Sequence, residues 1–215
     1  MLTNHLVKLT NQLVLSSRQR LLEAAAAEFA ARGFAGANVD RIARAARLNK
    51  AMIYYHFKSK AALYREILRD MFGAVAAGVA AVDASDDEPA DKIRAFVDAI
   101  ASAAEARPHF PPIWFREIAE GGTHLDAGTL ANVTAVVKTL GRIVKEGHAK
   151  RRFERVNPML IHAGIVGPLL LYFASGPMRR RLAAAGVPGV ASLSRDTVVE
   201  HVQRIAVMAL EGHGA

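Results

Sequence analysis

The sequence predicts an all-α protein. Alanine is abundant, apolar residues make up 52% of the 215 residues, and the β-branched and aromatic runs that favour strands are scarce. Apolar side chains instead recur three and four residues apart through most of the chain, which is the spacing of one helix face. This length has room for one large domain, or for a small domain and a larger one.

The chain opens with a segment, residues 1–16, that we expect to be a loose or partly helical extension. Ser17 is predicted to cap a helix that runs to Arg32, and Gly33 is predicted to end it. Glycine suits that position because it readily adopts the left-handed backbone conformation that closes many helices.

The stretch Asn38–Lys60 is predicted to form two short helices joined by a tight turn, followed at once by the start of a third helix. Asn38 and Asn49 each precede a helical piece, where a side-chain amide oxygen can accept a bond from a first-turn N–H. In the second piece Ile53 and Phe57 are four residues apart, so they share one face of the helix.

The rest of the chain reads as helices separated by loop signals. A helix from Lys60 to about Val82 precedes the acidic segment 83–91, which contains Pro89 and is predicted to be a linker. We expect domains at residues 17–70 and 71–215. Further helices are predicted at 92–106, 113–120, 125–151, 158–174 and 194–211, with a connection of about one helical turn inside 176–192.

Positive charge is concentrated in the first third of the chain. Residues 1–70 carry 12 basic and 5 acidic residues, whereas residues 71–215 carry 16 and 15. Within residues 41–60 there are six Lys or Arg and no Asp or Glu. This distribution predicts a polyanionic partner for the first third and a nearly neutral remainder.

A short helix with a basic, aromatic and small outward face, braced by another helix across a tight turn, is the helix-turn-helix solution for reaching a DNA major groove. Two crossed helices are common in helical proteins, and basic runs are usually solvated surfaces. The tight turn, the charge count and the Tyr54-Tyr55-His56 cluster occur together here. Their coincidence favours a DNA-binding element.

Arg20–Leu68 closely resembles the N-terminal signature of the tetracycline-repressor (TetR) family of bacterial transcription regulators. The matching features are a Leu-x-x-Ala-Ala…Phe…Gly-Phe opening, Ile42-Ala43, the run Tyr54-Tyr55-His56-Phe57, and Ser59-Lys60 at the start of the next helix. The resemblance implies an N-terminal three-helix helix-turn-helix DNA-binding domain and a larger C-terminal helical domain for ligand binding and dimerisation. It also implies a repressor that a small molecule releases from its operator.

The resemblance carries functional roles to particular positions. It implies base contacts from Lys50, Ala51 and Met52, and phosphate contacts from Asn38, Tyr54, Tyr55, His56 and Lys60. Lys58 is also expected to contact DNA. Lysine can donate to guanine acceptors, and small apolar side chains can contact a thymine methyl group. Phosphate contacts fix the register without reading the sequence.

Two positions depart from the family pattern. Arg47 stands where the family commonly has glycine in the turn, so either the turn differs slightly or Arg47 helps to hold a phosphate. Asn38 and Asn49 stand where the family favours Ser or Thr, and asparagine caps a helix equally well.

The second domain is expected to bind a largely apolar small molecule between its helices. The residues expected to line this site are Phe96, Ile100, Phe110, Trp114, Phe115, Val137, His162 and Val166, although ordinary core packing explains many of them. Glu117, Glu120, His124 and Asp126 are the one plausible group of metal ligands. Because Gly121-Gly122 leaves His124 beyond the helix and exposed carboxylates are common, we predict no metal site and no cofactor.

Two apolar segments, 159–172 and 197–210, are expected by resemblance to pair with their copies as the interface of a homodimer that binds a palindromic operator. A nonspecific nucleoid-type DNA binder is the alternative, and a helical enzyme or metal protein that uses Glu and His residues of the second half is a weaker one. The chain has no Gly-rich phosphate loop, serine-nucleophile motif or paired-carboxylate motif, so we predict no enzyme.

The sequence also bears on location. It contains no cysteine, which excludes disulfides and thiol chemistry and fits a reducing cytoplasm. Polar residues interrupt the first 15, so no secretory signal is predicted. Pro158–Met178 is uncharged and long enough to cross a bilayer, but its glycines and flanking charges favour a helix buried in protein. We therefore expect a cytoplasmic, nucleoid-associated protein without a membrane partner.

Overall fold

The computed structural model describes residues 2–212, with side chains from Ser17 onward. Every regular element within this range is a helix, as the composition predicted. The helices are α1 (Leu2–Gly36), α2 (Val39–Ala45), α3 (Ala51–Phe57), α4 (Lys60–Asp83), α5 (Pro89–Ala106), α6 (Phe110–Ala119), α7 (Ala127–Ala149), α8 (Pro158–Ala174), α9 (Gly176–Ala184) and α10 (Arg195–Glu211).

The first helix differs from its predicted extent. It begins at Leu2, so the predicted cap Ser17 lies inside the helix and the backbone of residues 2–16 is helical. The Ser17 hydroxyl instead lies 3.1 Å from Nε2 of His56 in α3. Gly33 breaks the helical conformation as predicted, with φ 68° and ψ 176°, before the chain continues to Gly36.

Three other boundaries move for identifiable reasons. α5 begins at Pro89 and α6 at Phe110, each a few residues earlier than predicted. Proline is tolerated in the first turn, where a backbone N–H has no helical partner, so Pro89 and the Pro111-Pro112 pair start these helices instead of preceding them. The expected connection after α8 contains the nine-residue helix α9.

Contacts divide the chain into two units. One comprises the chain up to Asp70 together with Pro112–Asp126, and the other comprises Met71–Pro111 and the chain from Ala127 onward. Pro112–Asp126, which the sequence placed in the second domain, thus groups with the first unit. Two contacts illustrate this grouping: Tyr64 donates its hydroxyl to Glu117 at 2.8 Å, and Arg116 donates to the carbonyl of Ala31 at 3.2 Å.

In the second unit α5 packs against α7, α8 and α10. Its inward face is fully apolar at Phe96, Val97 and Ile100, which are at most 2% exposed. At its edge Lys92 Nζ lies 2.9 Å from Glu146 of α7, which satisfies an otherwise buried ammonium group. α10 begins after Ser194, whose hydroxyl accepts the Thr197 N–H, as predicted.

Within the described range no single helix is both long and apolar enough to span a bilayer, and α8 with α9 meets the test only as a pair bent by 64°.

Candidate nucleic-acid interface

The two short helices α2 and α3 turn their apolar residues inward. Ile42 and Ala43 of α2 are buried, as are Ile53 and Phe57 of α3. The other face of α3 is open, with Tyr54 47% and Tyr55 72% exposed. Both rings are therefore accessible to a partner from this face of α3.

Both asparagines act as the predicted caps. Asn38 Oδ1 accepts the Asp40 N–H at 2.7 Å, which starts α2. Asn49 Oδ1 accepts the Ala51 N–H at 2.9 Å, which starts α3. Each bond satisfies a first-turn donor that the helix itself leaves unpaired.

The turn between the helices places Arg47 at φ 53°, the left-handed conformation that favours glycine. An L-residue with a side chain pays about 1 kcal/mol or more for this conformation. Arg20 of α1 supports the turn because its guanidinium donates to the carbonyls of Ala46 and Arg47. The backbone of the turn is therefore the one that glycine would adopt, so a different turn conformation is not needed to accommodate Arg47. The Arg47 side chain is exposed.

The positive residues of this surface fall into two groups. Several are held by intramolecular partners: Arg41 lies 2.6 Å from Glu28 Oε1, and Lys50 Nζ lies 3.0 Å from Asp40. The hydrogen bond with Asp40 raises the pKa of Lys50. In the part of the chain with described side chains, Arg44 and Lys58 are exposed and make no ion pair.

Lys60 has a structural role that the sequence did not reveal. Its ammonium group donates to the carbonyls of Phe34 at 2.9 Å and Ala37 at 3.1 Å, and it lies 4.6 Å from the centroid of the Phe34 ring. It therefore ties the start of α4 to the connection that leads into α2. Two of its three donors are used within the protein.

His56 is also engaged inside the first unit. Its Nε2 lies near the Ser17 hydroxyl, and its ring packs edge-on to Tyr55 at 5.0 Å between centroids. Burial, and to a lesser extent the charge of Arg18, lower the pKa of His56. At neutral pH the ring is therefore uncharged and suits a hydrogen bond better than an ionic contact.

The predicted DNA-contact residues all belong to the first unit. Tyr54, Tyr55, Ala51 and Lys58 are exposed, and Met52, His56 and Lys60 are half-buried. The sequence did not identify Arg20, Glu28 and Ser17 as residues that hold the α2–α3 region in place. They act across 10 to 39 residues of sequence, and no local pattern indicates such contacts.

The predicted ligand-lining residues do not all fall in one unit. Phe96, Ile100, Phe110, Val137, His162 and Val166 belong to the second unit, whereas Trp114 and Phe115 belong to the first. Phe96, Ile100 and Phe110 are core residues, and the Phe110 ring packs edge-on to Phe72 at 5.2 Å. His162 is half-buried, and that burial lowers its pKa.

The predicted metal-ligand group is more compact than its sequence suggested. One ligand atom from each of Glu117, Glu120 and His124 lies within 4.8 Å of the others, and Glu117 is fully buried. Asp126 instead pairs with Arg69 at 2.5 Å. The expectation that these carboxylates are simply exposed is therefore wrong for Glu117.

Comparison with known proteins places these features in context. Residues 21–67 match the family model described as bacterial regulatory proteins, tetR family. The chain is 36% identical over 108 residues to the HTH-type transcriptional repressor SCO4008 of Streptomyces coelicolor. The aligned region covers 50% of this chain and 53% of that protein. It is 29% identical over 161 residues to the repressor NicS of Pseudomonas putida, covering 73% and 74% of the two chains. The chain thus spans about half the length of the first of these relatives.

Solved structures share the fold over nearly the whole chain. A bacterial regulatory protein in the tetR family from Rhodococcus RHA1 has a TM-score of 0.73 at 17% identity, covering 92% of this chain and 98% of that one. The TetR family regulator PfmR from Thermus thermophilus has a TM-score of 0.66 at 22% identity, covering 91% and 100%. These similarities establish a common all-helical fold.

Proposed function

We propose that the chain is a sequence-specific DNA-binding transcription regulator of the tetR family, most simply a repressor, because residues 21–67 match that family's model and the similar curated proteins are repressors. The single observation that carries this proposal is the outward face of α3. It exposes two tyrosines and a small side chain on a helix whose opposite face is anchored by Ile53 and Phe57. A short anchored helix with such a face has the form of a helix that enters a DNA major groove.

The proposed reading mode places α3 in the major groove. Lys50, Ala51 and Met52 would contact base edges from the start of the helix. Lys50 is paired with Asp40 at 3.0 Å, an exposed contact that a guanine acceptor can replace at small cost. Once Lys50 leaves Asp40, the unpaired Asp40 carboxylate repels DNA phosphates. Binding is then favourable only at sequences where Lys50 gains a good base contact.

The proposed phosphate contacts surround this helix. Tyr54, Tyr55 and Lys58 are exposed and can reach a DNA backbone from the side of α3. Neutral His56 can contribute one hydrogen bond. Asn38 and Lys60 are already used to build the first unit, so we assign them mainly to positioning, with a spare donor each for phosphate.

We further propose a homodimer through the last long helices. α8 packs against α10, yet both leave large apolar side chains at the surface. Leu160 and Leu171 of α8 are 68% and 58% exposed, and Ile205 and Met208 of α10 are 47% and 50% exposed. Burying such a face in a second copy would give a four-helix interface and two DNA-binding units for a palindromic operator.

The proposed effector site lies in the second unit and takes a largely apolar molecule. Its candidate lining is Phe96, Ile100, Phe110, Val137, His162 and Val166, with neutral His162 as the polar group that could orient a ligand. Release from DNA requires that the ligand bind the free and DNA-bound conformations unequally. We propose no catalytic role, and we expect the protein to act in the cytoplasm on nucleoid DNA.

The decisive experiment selects bound fragments from random DNA and compares their affinity with that of scrambled fragments at several salt concentrations. A sequence-specific regulator should prefer its selected site by about a thousandfold or more at physiological salt. Equal affinity for both DNAs would indicate a nonspecific DNA binder instead. Affinity that does not fall with added salt would argue against binding through phosphates at all.

A further inference from the structure

The carboxylate of Glu117 in α6 is completely buried in the first unit. Its two side-chain partners, Tyr64 and His124, belong to an aromatic cluster: Tyr64 packs against Phe29 and Phe34 at 4.6 and 5.3 Å between centroids, and His124 packs against Phe34 at 4.3 Å. An ionised carboxylate in such surroundings requires a compensating positive charge or a complete set of donors.

The donors that reach Glu117 do not supply this compensation. Its Oε1 accepts the Tyr64 hydroxyl at 2.8 Å and lies 2.9 Å from His124 Nδ1. Among residues with described side chains, its Oε2 has one partner, the backbone N–H of His124 at the long distance of 3.4 Å. Phenol and amide are neutral groups, and no Lys or Arg forms a described ion pair with Glu117. A cation bound beside Glu117 would offset the charge of this buried carboxylate.

The loop after α6 brings His124 back to the helix. Gly121 and Gly122 have φ of 72° and 71°, so both adopt the left-handed conformation, and the Gly122 N–H donates to the Glu117 carbonyl at 2.7 Å. His124 lies beyond the end of α6, as expected, but the loop returns its ring to the Glu117 carboxylate. His124 Nδ1 also lies 3.7 Å from Oε2 of Glu120, which is three residues after Glu117 and just past the end of α6.

We propose that Glu117, Glu120 and His124 bind one divalent transition-metal ion of the zinc and cobalt class. One imidazole nitrogen and two carboxylate oxygens form a ligand set that suits such ions, whereas Mg²⁺ and Ca²⁺ prefer oxygen alone. The three ligand atoms lie within 4.8 Å of one another. Ligands about 2.1 Å from one ion lie about 3.5 Å apart, so the group must contract by roughly an ångström.

The surroundings allow that contraction and complete the site. Glu120 is 42% exposed on its side chain, so it can rotate inward, and its solvent side leaves room for water ligands. Tyr64 would continue to donate to Glu117, the type of outer contact that orients a ligating carboxylate. The ion would supply the positive charge that the buried carboxylate lacks.

The test uses the full-length chain without an affinity tag, dialysed against a chelator and titrated with Co²⁺. We expect visible d–d absorption bands that saturate at one ion per chain and disappear when Zn²⁺ is added. Trp114 is the only tryptophan and stands three residues before Glu117, so its fluorescence should be quenched over the same titration.

The variants Glu120→Gln and His124→Asn should each weaken Co²⁺ binding at least tenfold. Glu23→Gln, an exposed glutamate of α1 in the same unit, should leave it unchanged and serves as the matched control. Circular dichroism should report the same helix content for all of them. The proposal is overturned if no bands appear at millimolar Co²⁺, which would leave His124 and Glu117 as a hydrogen-bonded pair without a metal. It is equally overturned if Glu120→Gln and His124→Asn bind Co²⁺ as tightly as the native chain.

Discussion

Replacing Lys60 with methionine tests whether this lysine holds the DNA-binding unit together or contacts DNA directly. Methionine preserves the length and apolar stem of the side chain, so the change removes only the ammonium group. That group donates to the carbonyls of Phe34 and Ala37 and lies over the Phe34 ring. The substitution leaves both carbonyls without this donor and frees the connection between α1 and α2.

The expected loss of stability follows from these contacts. A hydrogen bond from a charged donor contributes about 1.5–3 kcal/mol when buried, and the half-buried position of Lys60 reduces this to about 1 kcal/mol for each bond. The contact with the ring adds about 0.5 kcal/mol. We therefore expect the free energy of unfolding to fall by about 2.5 kcal/mol. For a chain of this size the melting temperature should fall by about 5–10 °C.

The assay combines thermal melting with DNA binding over a range of salt concentrations. Lys60→Met should weaken binding to operator and random DNA by the same factor, with the salt dependence nearly unchanged. Lys58→Met is the matched control, since Lys58 is exposed and its backbone φ of 67° is equally compatible with methionine and lysine. It should leave the melting temperature unchanged and reduce the salt slope by about one.

The opposite pattern would refute this reasoning. Suppose Lys60→Met melts at the native temperature and its DNA affinity depends less steeply on salt concentration. The ammonium group then contacts phosphate, and its bonds to the two carbonyls contribute little to stability. A loss of selectivity between operator sequences would contradict both roles, because neither a positioning contact nor a phosphate contact reads a base.

The remaining predictions concern other parts of the chain. Lys50→Ala should cost about 1 kcal/mol at the preferred site and change the base preference recovered by fragment selection, whereas unchanged selectivity would exclude a base contact. Tyr55→Phe should lower affinity for all DNA sequences by several-fold without altering the melting temperature, because the ring is 72% exposed. Gly147→Ala should destabilise the protein by about 1–3 kcal/mol, since the new methyl group would lie 2.1 Å from the ring of Phe153, and normal melting would contradict that packing. Burial lowers the pKa of His162 below 6.5, so below that pH the unfolded state binds more protons than the folded state. The free energy of unfolding should therefore fall as the pH drops below 6.5. Urea titrations at pH 5.5 and 7.5 should show a smaller difference for His162→Gln than for the native chain.

The sequence predicted those features that local physics determines. Asn38 and Asn49 were identified as caps because a short amide side chain at that position satisfies a backbone donor two residues later. Gly33 was identified as a helix end, and Ile53 and Phe57 were placed on one shared helix face, for equally local reasons. Each of these needs only a few neighbouring residues and one hydrogen bond or one turn of helix.

The features that could not be predicted depend on contacts between distant residues. Arg20 donates to the turn 26 residues later, and Tyr64 donates to Glu117 across 53 residues. Before the helices are placed in space, Glu117 looks like any carboxylate on an amphipathic helix. The strain at Arg47 is another example, because the carbonyl bonds from Arg20 make an unfavourable backbone conformation tolerable.

The grouping of Pro112–Asp126 with the chain before Asp70 has a practical consequence for domain dissection. A fragment that stops at residue 70 would discard α6 and expose the hydroxyl and ring of Tyr64, which the intact chain keeps 2% accessible. Deleting the intervening residues and splicing the later stretch back with a flexible tether is therefore the rational way to isolate a DNA-binding half.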